Sequence, residues 1–143
     1  MSVARKGIFH LRSTFDRDVA EDGWLLKRDL VAEHGNFSLV LVDFFRHSER
    51  SVSESELALR VAGYENLGGY RHLEAIIRKP EELCDLKGFY LFSFATVVTS
   101  RSGRRFVPYA AWDEGEQKWK IDFYSLSVGF CRKFLLIGYV DAI

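Results

Sequence analysis

The last third of the chain admits few folds. From Phe89 onward, four aromatic and β-branched stretches (residues 89–99, 104–112, 118–127 and 130–140) are separated by Ser-Arg-Ser-Gly, by Asp-Glu-Gly-Glu and by a short link at 127–129. Such spacing is the mark of successive hairpins. Turn chemistry then predicts a register. A three-residue loop at 101–103, with Gly103 in the left-handed conformation, sets Phe92, Phe94, Thr96 and Val98 opposite Trp112, Ala110, Pro108 and Phe106. A two-residue turn at Glu114 and Gly115 sets the same four residues of the second stretch opposite Gln117, Trp119, Ile121 and Phe123. Both turns, chosen separately, gather the large apolar side chains on one face, as a correct register should. Pro108 has no N–H to give a ladder, which predicts an outward position or a bulge. Phe89, Leu91, Val107, Tyr109, Tyr124 and Leu126 fall on the opposite face. Either helices cover them or they form a partner surface.

The first 88 residues read as mainly helical. Trp24, Leu26, Leu30 and Val31 recur at near-helical spacing behind Glu21 and Asp22, with Gly35 at a C-cap position. Residues 36–47 are nearly all apolar, so periodicity does not separate helix from strand, and Asn36 as an N-cap tilts the reading to helix. Ser53 and Glu56 form a capping box ahead of Leu57, Ala58 and Val61, and Gly63 suits a left-handed C-cap. A second helix is predicted from Asn66, with Leu67, Tyr70, Leu73 and Ile77 on one stripe and Arg71, Ala75 and Arg78 on another face. Pro80, followed by Glu81 and Glu82, opens a further short helix that ends at Gly88. The expectation is a single α+β domain over residues 1–143, in which a helical N-terminal half packs on a C-terminal four-stranded antiparallel β-meander.

Composition narrows the functional classes. At 143 residues and 48% hydrophobic content, the chain can bury a core without disulfides or a structural metal. Twenty basic and 20 acidic side chains balance, so binding to a polyanion would rest on a local patch. Cys84 and Cys131 read as buried free thiols of a cytoplasmic protein, and no apolar run approaches the ~18 residues of a membrane span. No cofactor or metal is implied. The four histidines lie in different segments without a ligand spacing, and no nucleophile elbow, P-loop or dinucleotide fingerprint is present. The acidic pairs Asp16 with Asp18, Glu54 with Glu56 and Glu81 with Glu82 sit at predicted helix starts, where they complement the dipole. The sequence leans against an enzyme.

Residues 53–79, through Leu57-Ala58-x3-Ala62-Gly63-Tyr64-x-Asn66, resemble a helix-turn-helix of winged-helix type. The resemblance implies that Arg71, His72, Arg78 and Lys79 face a nucleic-acid groove while Arg101, Arg104 and Arg105 meet phosphate. Arg71→Ala and Arg78→Ala would then leave stability nearly unchanged. Residues 89–127, with the Trp119-x-Ile121 strand, are similar to NTF2-like sheets, which implies a ligand pocket or enzyme site lined by Tyr90, Phe92, Phe94, Trp112 and Trp119. The residues themselves favour a small non-enzymatic interaction protein acting through a protein partner or self-association. Nucleic-acid binding is the alternative, an NTF2-like pocket is third, and no membrane partner is expected.

Overall fold

The computed structural model describes residues 3–12, 23–29 and 35–142. It corrects the expected fold class. The molecule is mostly sheet, with one large mixed sheet of eight strands in place of a helical half packed on a four-stranded meander. Strands β1 (Val3–Leu11), β2 (Leu25–Asp29), β3 (Gly35–Val42) and β4 (Ser51–Val52) precede α1 (Glu54–Val61), α2 (Tyr70–Ile77) and a 3₁₀ helix, Pro80–Leu86. Then follow β5 (Tyr90–Phe92), β6 (Thr96–Thr99), β7 (Arg105–Asp113), β8 (Lys118–Ser125), β9 (Phe130–Cys131) and β10 (Phe134–Asp141). The large sheet runs β1-β3-β10-β5-β7-β6-β2, with β8 on the other side of β7. β4 and β9 form a separate two-stranded ribbon.

Residues 25–29 and 35–42 are strands where helices were predicted; residues 30–34 and the pair Asp16 and Asp18 lie outside the described residues. The apolar run Phe37–Val42 is a strand because the sheet is covered on both faces. Phe37 and Leu39 point to one core, Val40 and Val42 to the other, so no polar alternation is needed. The last stretch also departs from the expected meander. β10 does not pair with β8. It lies antiparallel to β3 and parallel to β5, so it joins the N-terminal strands to the C-terminal hairpins.

The two hairpins themselves form, with informative offsets. Gly103 takes φ +83 as expected, and Val98 pairs with Phe106 in the expected register. Beyond Ser93–Ala95 the register shifts by three residues, so that Phe92 faces Tyr109 instead of Trp112. Pro108 lies opposite this break: its carbonyl accepts from the Ser93 N–H at 3.1 Å, and a proline has no N–H to return. The strand therefore bulges away, and the Ala95 N–H finds the Gly68 carbonyl. At the second turn the loop has four residues, with Gln117 at φ 53, and Trp112 faces Trp119. That slip of two residues preserves the expected faces.

The helices cover opposite faces of the sheet. Leu73 and Ile76 of α2 with Leu83 and Leu86 of the 3₁₀ helix pack on Phe9, Phe37, Leu91 and Trp119. Leu57 and Val61 of α1, with Val52 and Phe130 of the ribbon, pack on Val42, Phe92, Val107 and Leu136. The second apolar face expected from the sequence is thus covered at Val107, Tyr109, Tyr124 and Leu126, while Leu91 belongs to the first. The connection between the helices crosses the sheet itself. The Tyr139 N–H donates to the Asn66 carbonyl and the Gly68 N–H to the Ile137 carbonyl, both at 2.9 Å. A Cβ on Gly138 would lie 2.9 Å from the Asn66 carbonyl oxygen, so only glycine admits the crossing chain. Ser53 caps α1 as expected, accepting from the Glu56 N–H. Gly63 has no positive φ, and the cap of α2 is Gly69 instead of Asn66.

Candidate functional site

Of the residues expected to face a nucleic acid, Arg71 and His72 are engaged inside the molecule, and Arg78 and Lys79 bind backbone carbonyls at its surface. Arg71 pairs with Asp29 of β2 at 3.5 Å, each side chain only 13% exposed. His72 is 1% exposed, packed against Tyr139 and Phe37. Its Nδ1 accepts from the Gly69 N–H at 3.0 Å, which puts the proton of the neutral ring on Nε2. Burial first, then the Arg71 charge, push His72 down to about 4. Arg78 donates to the His10 carbonyl at 3.0 Å and Lys79 to the Ile8 carbonyl at 2.6 Å. These two cations cap the outer edge of β1, where Arg5 adds a bidentate pair with Asp85.

Arg101, Arg104 and Arg105 do come together, at the exposed β6–β7 turn. Arg105 pairs with Glu54 at the start of α1, and Arg104 lies over the Phe106 ring. Beside them is a polar recess of about 230 Å³ lined by Gly103, Arg104, Arg105, Ser125, Ser127 and Glu54. The five aromatic residues expected in one pocket are divided by the Ser93–Ala95 bulge. Phe92 and Phe94 belong to the α1 core, Tyr90 stacks near Phe134 of that same face, and Trp112 and Trp119 lie under α2. Cys84 and Cys131 are free and exposed, against the expectation of burial.

The β1 edge is capped by side chains, and the β8 edge carries a fringe of charge. Beyond the capped β1, β8 carries Lys120 in ion pairs with Asp113 at 3.0 Å and with Glu116, a charged fringe of the kind that blunts sheet edges. β2 is different. It pairs with β6 on one side, and among the described residues no strand or side chain pairs with its other side. Leu25 is 61% and Leu26 46% exposed. The ladder slips between Leu26 and Arg28, leaving Lys27 as the extra residue of a bulge. Arg28 is anchored, donating to the Phe94 carbonyl at 2.7 Å and lying over its ring. Reading residues 24–34 as a helix concealed this edge; the adjacent leucines followed by Lys-Arg-Asp carry no strand alternation that would have exposed it.

An apolar groove of about 330 Å³ lies where β3 ends and β10 begins, between Phe45, Phe134 and Arg132. Among the described residues, no group of three or more His, Cys, Asp or Glu side chains is placed to hold a metal, and no helix is long and apolar enough to cross a membrane. No family model, curated protein or solved structure matches the chain.

Proposed function

We propose that the protein is a non-enzymatic binding module that takes an extended segment of a protein partner onto the outer edge of β2. The observation that carries this reading is the contrast between edges: side chains cap β1 and a charged fringe lines β8, whereas among the described residues nothing pairs with the outer side of β2, on which Leu25 and Leu26 are exposed. An open row of N–H and C=O groups is satisfied by another strand, and alternate side chains of the incoming segment then lie over Leu25 and Leu26. The test uses a neutral alternating peptide, acetyl-Thr-Val-Thr-Val-Thr-amide, added to isotopically labelled protein. Binding is expected to slow hydrogen exchange at amides of residues 25–29 and to be lost in the Leu25→Lys, Leu26→Lys variant. Protection confined to β1 or the hairpins, or none at millimolar peptide, overturns the reading.

A further inference from the structure

Residues 43–50 leave the end of β3 without regular structure, yet two arginines from distant parts of the chain fix them. Arg60 of α1, 10% exposed, donates to both carboxylate oxygens of Glu49 at 2.6 Å and to the Phe44 carbonyl at 2.9 Å. Glu49 also accepts from the Arg46 N–H at 2.6 Å. The Arg60 bonds, followed by that one, push the Glu49 carboxyl down to about 2, so the tie stays charged at ordinary pH. Arg132, between β9 and β10, donates to the Glu49 and Arg46 carbonyls at 2.8 Å and lies over the Phe45 ring. The loop so held keeps Ser48 at φ 71, a left-handed conformation that a residue with a Cβ retains only where its surroundings impose it, and such strain gathers at binding sites. The loop also walls the apolar groove at the start of β10, between Leu41, Phe44, Phe45, Phe134 and Leu135. On the same loop and turn Arg46, Arg50 and Lys133 are exposed, and none of them forms an ion pair among the described residues. The carboxylates here are Glu49, bonded to Arg60, and Asp43, which lines the groove beside Arg132. The acid-bearing stretches outside the described residues, 13–22 and 30–34, are attached at both ends far from the groove. Arg12 and Gly35 stand at the opposite ends of β1 and β3, about 20 Å along the strands, and Gly23 and Asp29 flank β2, five strands across the sheet. Met1 and Ser2, next to Val3, carry no carboxylate side chain.

We propose that this loop and groove dock a short acidic segment of a partner protein, with one apolar anchor side chain seated between Phe45 and Phe134 and carboxylates on either side of it meeting Arg46, Arg50 and Lys133. The surface is separate from the β2 edge and does not rest on strand addition. A groove of about 330 Å³ walled by aromatic and aliphatic side chains rewards a single buried anchor, the kind of contact that dominates binding energy. A loop already fixed by Arg60 and Arg132 has little freedom left to lose when the segment arrives. The surrounding cations act on encounter rate and partner choice, and their effect fades with salt. A nucleic acid suits the site less well, because Asp43 on the groove wall opposes a phosphate backbone.

The experiment titrates acetyl-Glu-Glu-Phe-Glu-Glu-amide into ¹⁵N-labelled protein and follows amide resonances. Shifts are expected at residues 43–50 and 132–135, and they should persist in the Leu25→Lys, Leu26→Lys variant, which separates this surface from the β2 edge. Replacing the peptide phenylalanine by serine, or its four glutamates by lysines, is expected to weaken binding about ten-fold or more, the second effect shrinking as salt rises. The Arg46→Glu, Arg50→Glu, Lys133→Glu variant, altered only at exposed positions, is expected to prefer the lysine peptide. No binding at millimolar peptide, shifts confined to β2, or equal affinity for the phenylalanine and serine peptides overturns the proposal. So does a single-stranded DNA that shifts the same resonances at lower concentration than the acidic peptide, which would assign the surface to a nucleic acid.

Discussion

Burying His72 as a neutral ring makes the protein acid-sensitive at one residue. The folded form takes up its proton near pH 4 and the unfolded form near 6.5. Between those values the unfolded chain binds more protons, so stability falls as pH drops from 6.5 toward 4 and is insensitive to this group above 6.5. The shift corresponds to about 3 kcal/mol. Urea titrations at pH 7 and 4.5 should show the loss, and His72→Asn, which retains an acceptor but does not titrate, should flatten it. An unchanged slope in that variant would count against the assignment. Arg71 is also reassigned by its surroundings. Its removal leaves Asp29 partly buried and without this cation, so Arg71→Ala is expected to lower stability by about 1–3 kcal/mol instead of being neutral. Gly138 and Gly63 form a matched pair. Gly138→Ala drives a methyl against the Asn66 carbonyl and should lose about 1–3 kcal/mol. Gly63→Ala meets nothing within 4 Å and should be within ~0.5 kcal/mol of neutral. Equal losses in chemical denaturation would contradict the sheet-crossing geometry.

At the scale of elements, local signals were legible wherever a turn or cap decides the structure alone. Ser53 capping α1, Pro80 opening the short helix and left-handed Gly103 behave as their chemistry dictates, whereas Glu56 pairs with Arg60 instead of closing the expected capping box. Alternation failed where partners matter. Pro108 announced a bulge but not its length, and the three-residue shift it accompanies is odd, so Phe92 and Trp112 end on opposite faces. Residues 36–42 were ambiguous because a strand covered on both faces has the composition of a buried helix. Of the candidate site, the three hairpin arginines were legible as a cluster; the β2 edge was not, since edge status is a property of the sheet. The caps on β1 make a separate prediction. Arg78→Ala with Lys79→Ala should cost little stability, on the order of 1 kcal/mol, yet expose the β1 backbone. Sedimentation velocity is then expected to show concentration-dependent self-association that wild type lacks. A variant that stays monomeric at the highest concentrations would show that these side chains do not protect the edge.

For the molecule as a whole, the sequence implied two apolar faces and left open whether helices or a partner cover the second, and it misjudged which layer was central. The sheet is the middle layer, α2 and the 3₁₀ helix lie on one side, α1 and the β4–β9 ribbon on the other. That order could not be read from periodicity, because β10 gains its place only by pairing with residues nearly a hundred positions earlier. The position of β10 also governs how the chain assembles. The β7–β8 hairpin is local and should form in microseconds. The strands β1 and β3 gain their place in the same sheet as β5 only when residues 134–141 slot between them, where the segment around Gly68 also bonds to β10. Refolding after rapid dilution is therefore expected on the slow, millisecond-to-second side set by long-range pairing. A nascent chain paused before Phe134 would lack the strand that joins β3 to β5, and only α2 and the 3₁₀ helix, packed on one face, would bridge the two halves of its sheet.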